Sequence, residues 1–151
     1  MSYRIVFDTN VLVSAVLNQH GSSALILDAV LDGKFFLVIS HAVINGARRV
    51  FSFPKLQQLF EKNGIEPREI NEVLKKLAKI TVFVPGKARL NSIASDPSDN
   101  IFLSCAVEGQ ADFVISGDRH LTGLGVFQGI RIASPKEFLD LIGQEGFKKA
   151  G

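Results

Sequence analysis

In "IVFDTNVLVSA", residues 5–15, an apolar run of Ile5, Val6 and Phe7 passes directly into Asp8. A carboxylate against a hydrophobic run is costly unless hydrogen bonds, a cation or a metal offset it. The pattern returns in "DFVISGD", where Asp118 follows an apolar run through Ser116 and Gly117, a glycine that lets the chain turn sharply. Between them, "SDPSDNIFLSCAVEG" sets Asp96 and Asp99 around the expected start of a helix. Taken singly, these two read as caps that stabilise a helix by about 0.5–2 kcal/mol. Three or four carboxylates from distant segments that converge at one edge are different: their repulsion and desolvation need cations to offset them. Mg²⁺ or Mn²⁺ suits such a set, being hard ions held by a few carboxylates, waters and substrate phosphates. The substrate class is then a phosphate ester, attacked by a water whose pKa the metal lowers. Asn10 and Ser116 are suited to orient the carboxylates or a metal-bound water, with ordinary turn and cap bonding as the plainer reading.

Positioning those residues requires strands that end at a common edge. Short apolar runs at "YRIVF", "FFLVIS", "ITVFV" and "DFVIS" alternate with segments of helical period. The alternation predicts an α/β fold, a three-layer α/β/α sandwich around a central parallel sheet. Ligands of such sheets bind outside the carboxyl ends of the strands, where Asp8 and Asp118 fall. Helices are expected over 11–17, 22–32, 41–51, 54–62, 67–79, 99–109 and 135–142, with 54–62 and 67–79 joined by "KNGIEP" as a helical hairpin. In the 99–109 helix, Ile101, Phe102, Cys105 and Ala106 are expected to face the sheet. Ser134, Pro135 and Glu137 spell a capping box at the start of the last helix, and Gly33 a stop before the second strand. One domain over 1–142 is expected, followed by a flexible tail, 143–151.

With 151 residues, 46% of them hydrophobic, the chain can bury a substantial core. Its apolar stretches fall far short of the roughly 20 residues of a membrane-spanning helix, and no basic leader precedes them, so a cytoplasmic protein with no membrane association is expected. The lone Cys105 excludes an internal disulfide and reads as a small core residue. Structural zinc lacks a Cys/His cluster, and His20 and His41 read as loop or cap residues. Net charge is only +2, but residues 46–90 hold ten Lys/Arg against four Asp/Glu. The acidic groups lie mainly toward the two ends, so the middle of the chain is the part suited to a phosphate backbone.

The residues "VFDTNVLVSA" and "DPSDNIFLSCAVEGQADFVISGDRHL", in this order with strand-helix alternation between them, resemble a PIN domain, the metal-dependent ribonuclease fold. The likeness extends from Tyr3 to about Ile142 and is greatest to the toxin components of bacterial toxin–antitoxin pairs. It implies that Asp8, Asp99 and Asp118 are catalytic, metal-binding carboxylates, with Asp96 as an accessory ligand. It also implies cleavage of single-stranded RNA, neutralisation by a small antitoxin protein, and pairing as a homodimer.

Where PIN domains usually carry one more acid, in the helix after the second strand, this chain has Gly46. On a helical projection Val43, Ile44, Ala47, Val50 and Phe51 form the buried stripe, with Gly46 on its flank and Asn45 nearly opposite, so Asn45 is a poor substitute. Glycine in mid-helix costs about 1 kcal/mol relative to alanine. Its presence points to a weakened nuclease, or to a degenerate scaffold that binds RNA or an antitoxin-like protein without cutting. Arg48, Arg49 and Arg119, with His120, are candidates to hold an RNA phosphate. Lys75, Lys76 and Lys79 read as a solvated helix face. A haloacid-dehalogenase-like phosphatase also begins with an acid after its first strand, but it needs a second Asp where Asn10 stands.

Overall fold

In the computed structural model, which describes residues 3–86 and 99–145, the apolar runs become strands of one sheet. The chain order is β1 (Arg4–Phe7), α1 (Thr9–Leu17), α2 (Ser22–Leu31), β2 (Phe36–Ser40), α3 (His41–Phe51), α4 (Pro54–Lys62), α5 (Pro67–Ile80) and β3 (Val82–Val84). It continues with α6 (Asp99–Glu108), β4 (Phe113–Ile115), α7 (Arg119–Thr122), β5 (Val126–Phe127), β6 (Ile130–Ala133) and α8 (Pro135–Glu145). Strand order across the sheet is β3-β2-β1-β4-β6-β5. All neighbours are parallel except β5, which pairs antiparallel with β6.

Helices cover both faces, as expected, and the alternation along β1 shows why. Ile5 and Phe7 point to one side, into a core with Val30 of α2, Phe35 and Phe138 of α8. Val6 points to the other, into a core with Val38, Val114, and Leu103 and Ala106 of α6. A third cluster, Phe51, Phe60 and Ile65, ties the α4–α5 hairpin to α3, with the Phe51 and Phe60 rings stacked at 5.7 Å. The hairpin turns at Gly64, whose φ of +71° is one that glycine adopts at little cost.

Several local expectations hold in detail. The α8 capping box is formed: Glu137 N donates to Ser134 Oγ at 3.1 Å and Ser134 N to Glu137 Oε1 at 3.2 Å. Others need correction. Strands β5 and β6 and the short α7 lie in a stretch read as carrying no element, because Arg131 interrupts the apolar run of β6 and glycines at 123, 125 and 129 break up the segment before it. Helix α1 begins at Thr9 rather than 11, because Asp8 caps it. Helix α8 runs on to Glu145, past 142, and residues 146–151 lie outside the described residues. On α6 the inward face is Leu103, Cys105 and Ala106, whereas Ile101 is exposed.

The C-terminus of α6 approaches β2 so closely that a Cβ at Gly109 falls 2.3 Å from Val38 Cγ1. Both residues are buried, so neither can swing into solvent. Overpacking of this kind costs about 1–3 kcal/mol. Gly109→Ala is therefore expected to lower the melting temperature by about 3–10 °C, measured by calorimetry.

Candidate active site

Strands β1 and β4 lie side by side in register, Phe7 opposite Ile115, so the residues that follow them emerge together. Asp8 and Ser116 are the first of these. Asp8 N donates to Ile115 O at 3.1 Å, which extends the ladder one residue past the strand and fixes where the carboxylate departs. Asp8 is only 5% exposed and acts as N-cap of α1, its Oδ1 accepting from Val11 N at 2.8 Å. Its Oδ2 accepts a very short hydrogen bond from the hydroxyl of Ser116, itself fully buried.

Ser116 joins two acids. While its proton goes to Asp8, its Oγ accepts from Asp118 N at 2.9 Å. Asp118 in turn caps α7, with Oδ1 accepting from His120 N at 2.9 Å. Cap chemistry, which the sequence offers as the plain account of Asp96 and Asp99, is thus carried by Asp8 and Asp118. Burial is the main cause that raises the Asp8 pKa, and the nearby Asp118 charge adds to it; the bonds from Ser116, Val11 and Gly117 work against them. Buried Asp8 and half-buried Asp118 form a negative centre whose charge no cationic side chain offsets by an ion pair among the described residues.

Asp99 opens α6 and is 6% exposed. Its Oδ2 atom is buried and accepts no hydrogen bond among the described residues, although the residue has an interaction elsewhere. Asp96 lies outside the described residues. Asn10 is exposed in the first turn of α1 and, among the described residues, makes no hydrogen bond with either acid. Arg48 lines a mainly apolar cavity of about 380 Å³ that reaches Asp8 and Thr9 between α3 and α5. Arg49 and Arg119 are exposed, the latter directly after Asp118.

Gly46 sits half-buried on the flank of the α3 stripe, and Asn45 is exposed, as the projection predicts. A Cβ built on Gly46 meets no atom within 4 Å, so close packing does not account for the glycine. Among the described residues no three His, Cys, Asp or Glu side chains form a ready metal cage. The donor chemistry nevertheless fits a hard divalent ion. Asp8 and Asp118 supply only oxygen, each retains lone pairs beyond its cap bonds, and Mg²⁺ is commonly held through one or two carboxylates with waters and phosphates making up the rest. Residue types single out Ser116 as a group suited to orient the carboxylates, but they do not say that it joins Asp8 to the Asp118 backbone, and they do not show the cavity under α3.

Residues 4–120 match the PIN domain family. An uncharacterized protein of Methanocaldococcus jannaschii, MJ1680, is 28% identical over 145 residues, covering 91% of this chain and 90% of its own. Among solved structures, a chain in the crystal structure of VapBC2 from Rickettsia felis bound to a DNA fragment from their promoter shares the fold. Its TM-score is 0.54 at 14% identity, covering 85% of this chain and 96% of that one. The match runs from β1 into α7, and so takes in both strand ends where the acids meet: this chain belongs to the PIN domain family.

Proposed function

We propose that this chain is a Mg²⁺- or Mn²⁺-dependent endoribonuclease that cuts single-stranded RNA in the cytoplasm, as the toxin of a toxin–antitoxin pair. The observation that carries the reading is the Asp8–Ser116–Asp118 arrangement at the carboxyl edge of a PIN-family sheet. Asp8 and Asp118 would hold the ion, joined by Asp99 and Asp96. When bound, the ion supplies charge neutralisation, polarisation of the phosphoryl oxygen and a lowered pKa for water. The chain's own part is to hold the acids still. Val11 N on Oδ1, Ser116 on Oδ2 and a further backbone bond from Gly117 fix the carboxylate plane and still leave lone-pair capacity for an ion. Arg48 and Arg119, beside Asp8 and Asp118, would place an RNA phosphate without reading its sequence.

The partners proposed are RNA, a small antitoxin protein, and a second copy of the chain. Exposed Phe53 and Leu59 around α4 support a face that is covered in an assembly. Among the described residues no helix is long and apolar enough to cross a membrane. A second reading, a scaffold that binds RNA or an antitoxin without cutting, is favoured by Gly46, which supplies no acid where the family usually has one.

Cleavage of a fluorescent single-stranded RNA with and without Mn²⁺ decides between the two. Metal-dependent cutting supports the nuclease; RNA binding with no cutting at any metal concentration supports the scaffold. Ser116→Ala removes the bridge while keeping both acids, and supporting partners of metal ligands typically matter by 10–100-fold. A 10–100-fold fall in cleavage is therefore expected for Ser116→Ala, together with a higher Mn²⁺ requirement, read from the metal titration of the rate.

A further inference from the structure

The 380 Å³ cavity between α3 and α5 ends at Asp8, yet the metal-site reading gives it no task. We propose that it is a base pocket: it takes the nucleobase of a nucleotide adjoining the phosphate that is cut. The assignment to RNA rests on the function proposed above.

The cavity is built as a slot. Its floor is the edge of the sheet, where Ile39 of β2 lies opposite Phe83 of β3 and Leu37 shares the face of Ile39. Ile44, Ala47 and Phe51, at helical spacing, form the α3 wall, and Leu74, Leu77 and Ala78 form the α5 wall. An alanine on each wall adds little bulk, which gives the slot its width. Ile39, Ile44 and Leu74 stay only half-buried, although all three line the same recess. Contiguous apolar surface left in this state marks a place that something covers. The volume lies within the roughly 300–1,000 Å³ usual for ligand pockets, and the balance of an apolar lining with a few polar groups is also theirs.

The lining selects the occupant. A phosphate, a sugar or a hydrated ion placed against these walls would lose its water without gaining partners. A nucleobase has two apolar faces and a polar edge. Among the described residues the polar lining is Asp8, Thr9, Arg48 and Thr81, and the two threonine hydroxyls can each donate to or accept from that edge. Phe83 supplies an independent sign. Its ring lines the cavity, is 47% exposed, and meets the His41 ring edge-on at 4.6 Å. An exposed ring on a rigid strand is a stacking platform for an unpaired base. Charge agrees with this choice. Exposed Arg48 stands where the slot meets a second cleft, of about 800 Å³, between α3 and the α4–α5 hairpin. A polyanionic backbone entering there finds a cation at one end of the slot, and its base finds apolar walls. A purely aliphatic ligand would fill the slot but use neither the hydroxyls nor the arginine.

The test uses the whole chain in metal-free buffer, so that cutting does not enter. Adenosine and uridine 5′-monophosphate are titrated while the methyl resonances of Ile39, Ile44 and Leu77 are followed, with ribose 5-phosphate as the probe that lacks a base. Saturable methyl shifts are expected with at least one nucleotide and not with the sugar phosphate. Ala47→Leu, which fills the slot, and Phe83→Ala, which removes the platform, should each weaken nucleotide binding at least five-fold, while Phe83→Tyr keeps it. The affinity of a fluorescent single-stranded RNA, read by anisotropy, should fall about three- to ten-fold in the first two variants. Phe53→Ala sets the effect of losing an exposed ring elsewhere. Absence of nucleotide shifts, or equal shifts with ribose 5-phosphate, overturns the base pocket and leaves the slot to an apolar side chain of a protein partner. Nucleotide shifts with RNA affinity no weaker than in Phe53→Ala overturn the assignment to RNA. A chain that binds RNA through the slot but cuts at no Mn²⁺ concentration defeats the nuclease reading and leaves the pocket standing.

Discussion

Asp8→Asn is expected to abolish metal-dependent RNA cleavage while making the metal-free protein harder to unfold at neutral pH. The activity loss follows from the removal of a buried anionic ligand: several kcal/mol of charge stabilisation at about 1.4 kcal/mol per tenfold in rate amounts to a loss of roughly 10³ or more. The stability gain follows from the same burial. The Asp8 pKa in the folded chain lies above the ordinary 3.8, with burial as the main cause. Between those two values the folded state binds more protons than the unfolded state, so stability falls as pH rises through that window. Above it the cost is fully present; below pH of about 3.8 it is absent. Asparagine carries no charge, can still accept from Val11 N as an N-cap, and so removes the cost at pH 7 while keeping the helix start. Thermal melts from pH 3 to 8 should show the variant above the parent at neutral pH, with the two converging in acid. Mn²⁺ should reverse the order: at about 100 times its dissociation constant an ion bound only to the folded state adds roughly 2.7 kcal/mol, and only the parent retains the ligand. Cleavage that survives Asp8→Asn, or an Mn²⁺ shift of equal size in both proteins, would sink the metal role of Asp8.

Gly46→Glu is expected to act in the opposite direction, raising metal-dependent cleavage at least ten-fold. Beyond its own helix turn, no atom lies within 4 Å of a Cβ there, so the first carbon of the side chain enters α3 without displacing the core. It lies one helical turn from Val43, which packs in the same cluster as Leu103 of α6, the helix that Asp99 begins. A third or fourth carboxylate there supplies what the described acids lack as a self-sufficient cage. Glutamate also replaces the poorest helix former after proline, a gain of about 0.5–1 kcal/mol, or roughly 2–4 °C in melting temperature. The two effects separate in the data. A rise in melting temperature without a change in cleavage shows that the glycine costs only helix stability and that the site never needed the acid. A rise in both, with the Mn²⁺ midpoint moving to lower concentration, shows that a ligand was missing.

Much of the molecule was legible because the signals were local. Short apolar runs alternating with segments of helical period marked β1 to β4 and a sheet covered by helices on both faces, which is what the two cores show. The α8 capping box needed only Ser134 and Glu137 three residues apart. Strand β6 was not legible, because Arg131 breaks its apolar run and the stretch before it is rich in glycine. The inward face of α6 was misread at Ile101 for a related reason: which part of an all-round apolar helix is buried depends on where the sheet lies.

By itself the sequence determined the residue chemistry: acids at strand ends, an α/β alternation, a glycine where an acid was expected, and the features that mark the PIN domain family. Tertiary structure alone decided which groups meet. Asp8 and Ser116 are 108 residues apart, and nothing in their local windows says that β1 pairs with β4 rather than another strand. That pairing is chosen by burial summed over both faces of the sheet, and from it follow the bridge to Asp118 and the raised pKa of Asp8. Spacing along the chain limits what a residue can do locally; only the folded sheet brings a hydroxyl from one strand end to the carboxylate of another.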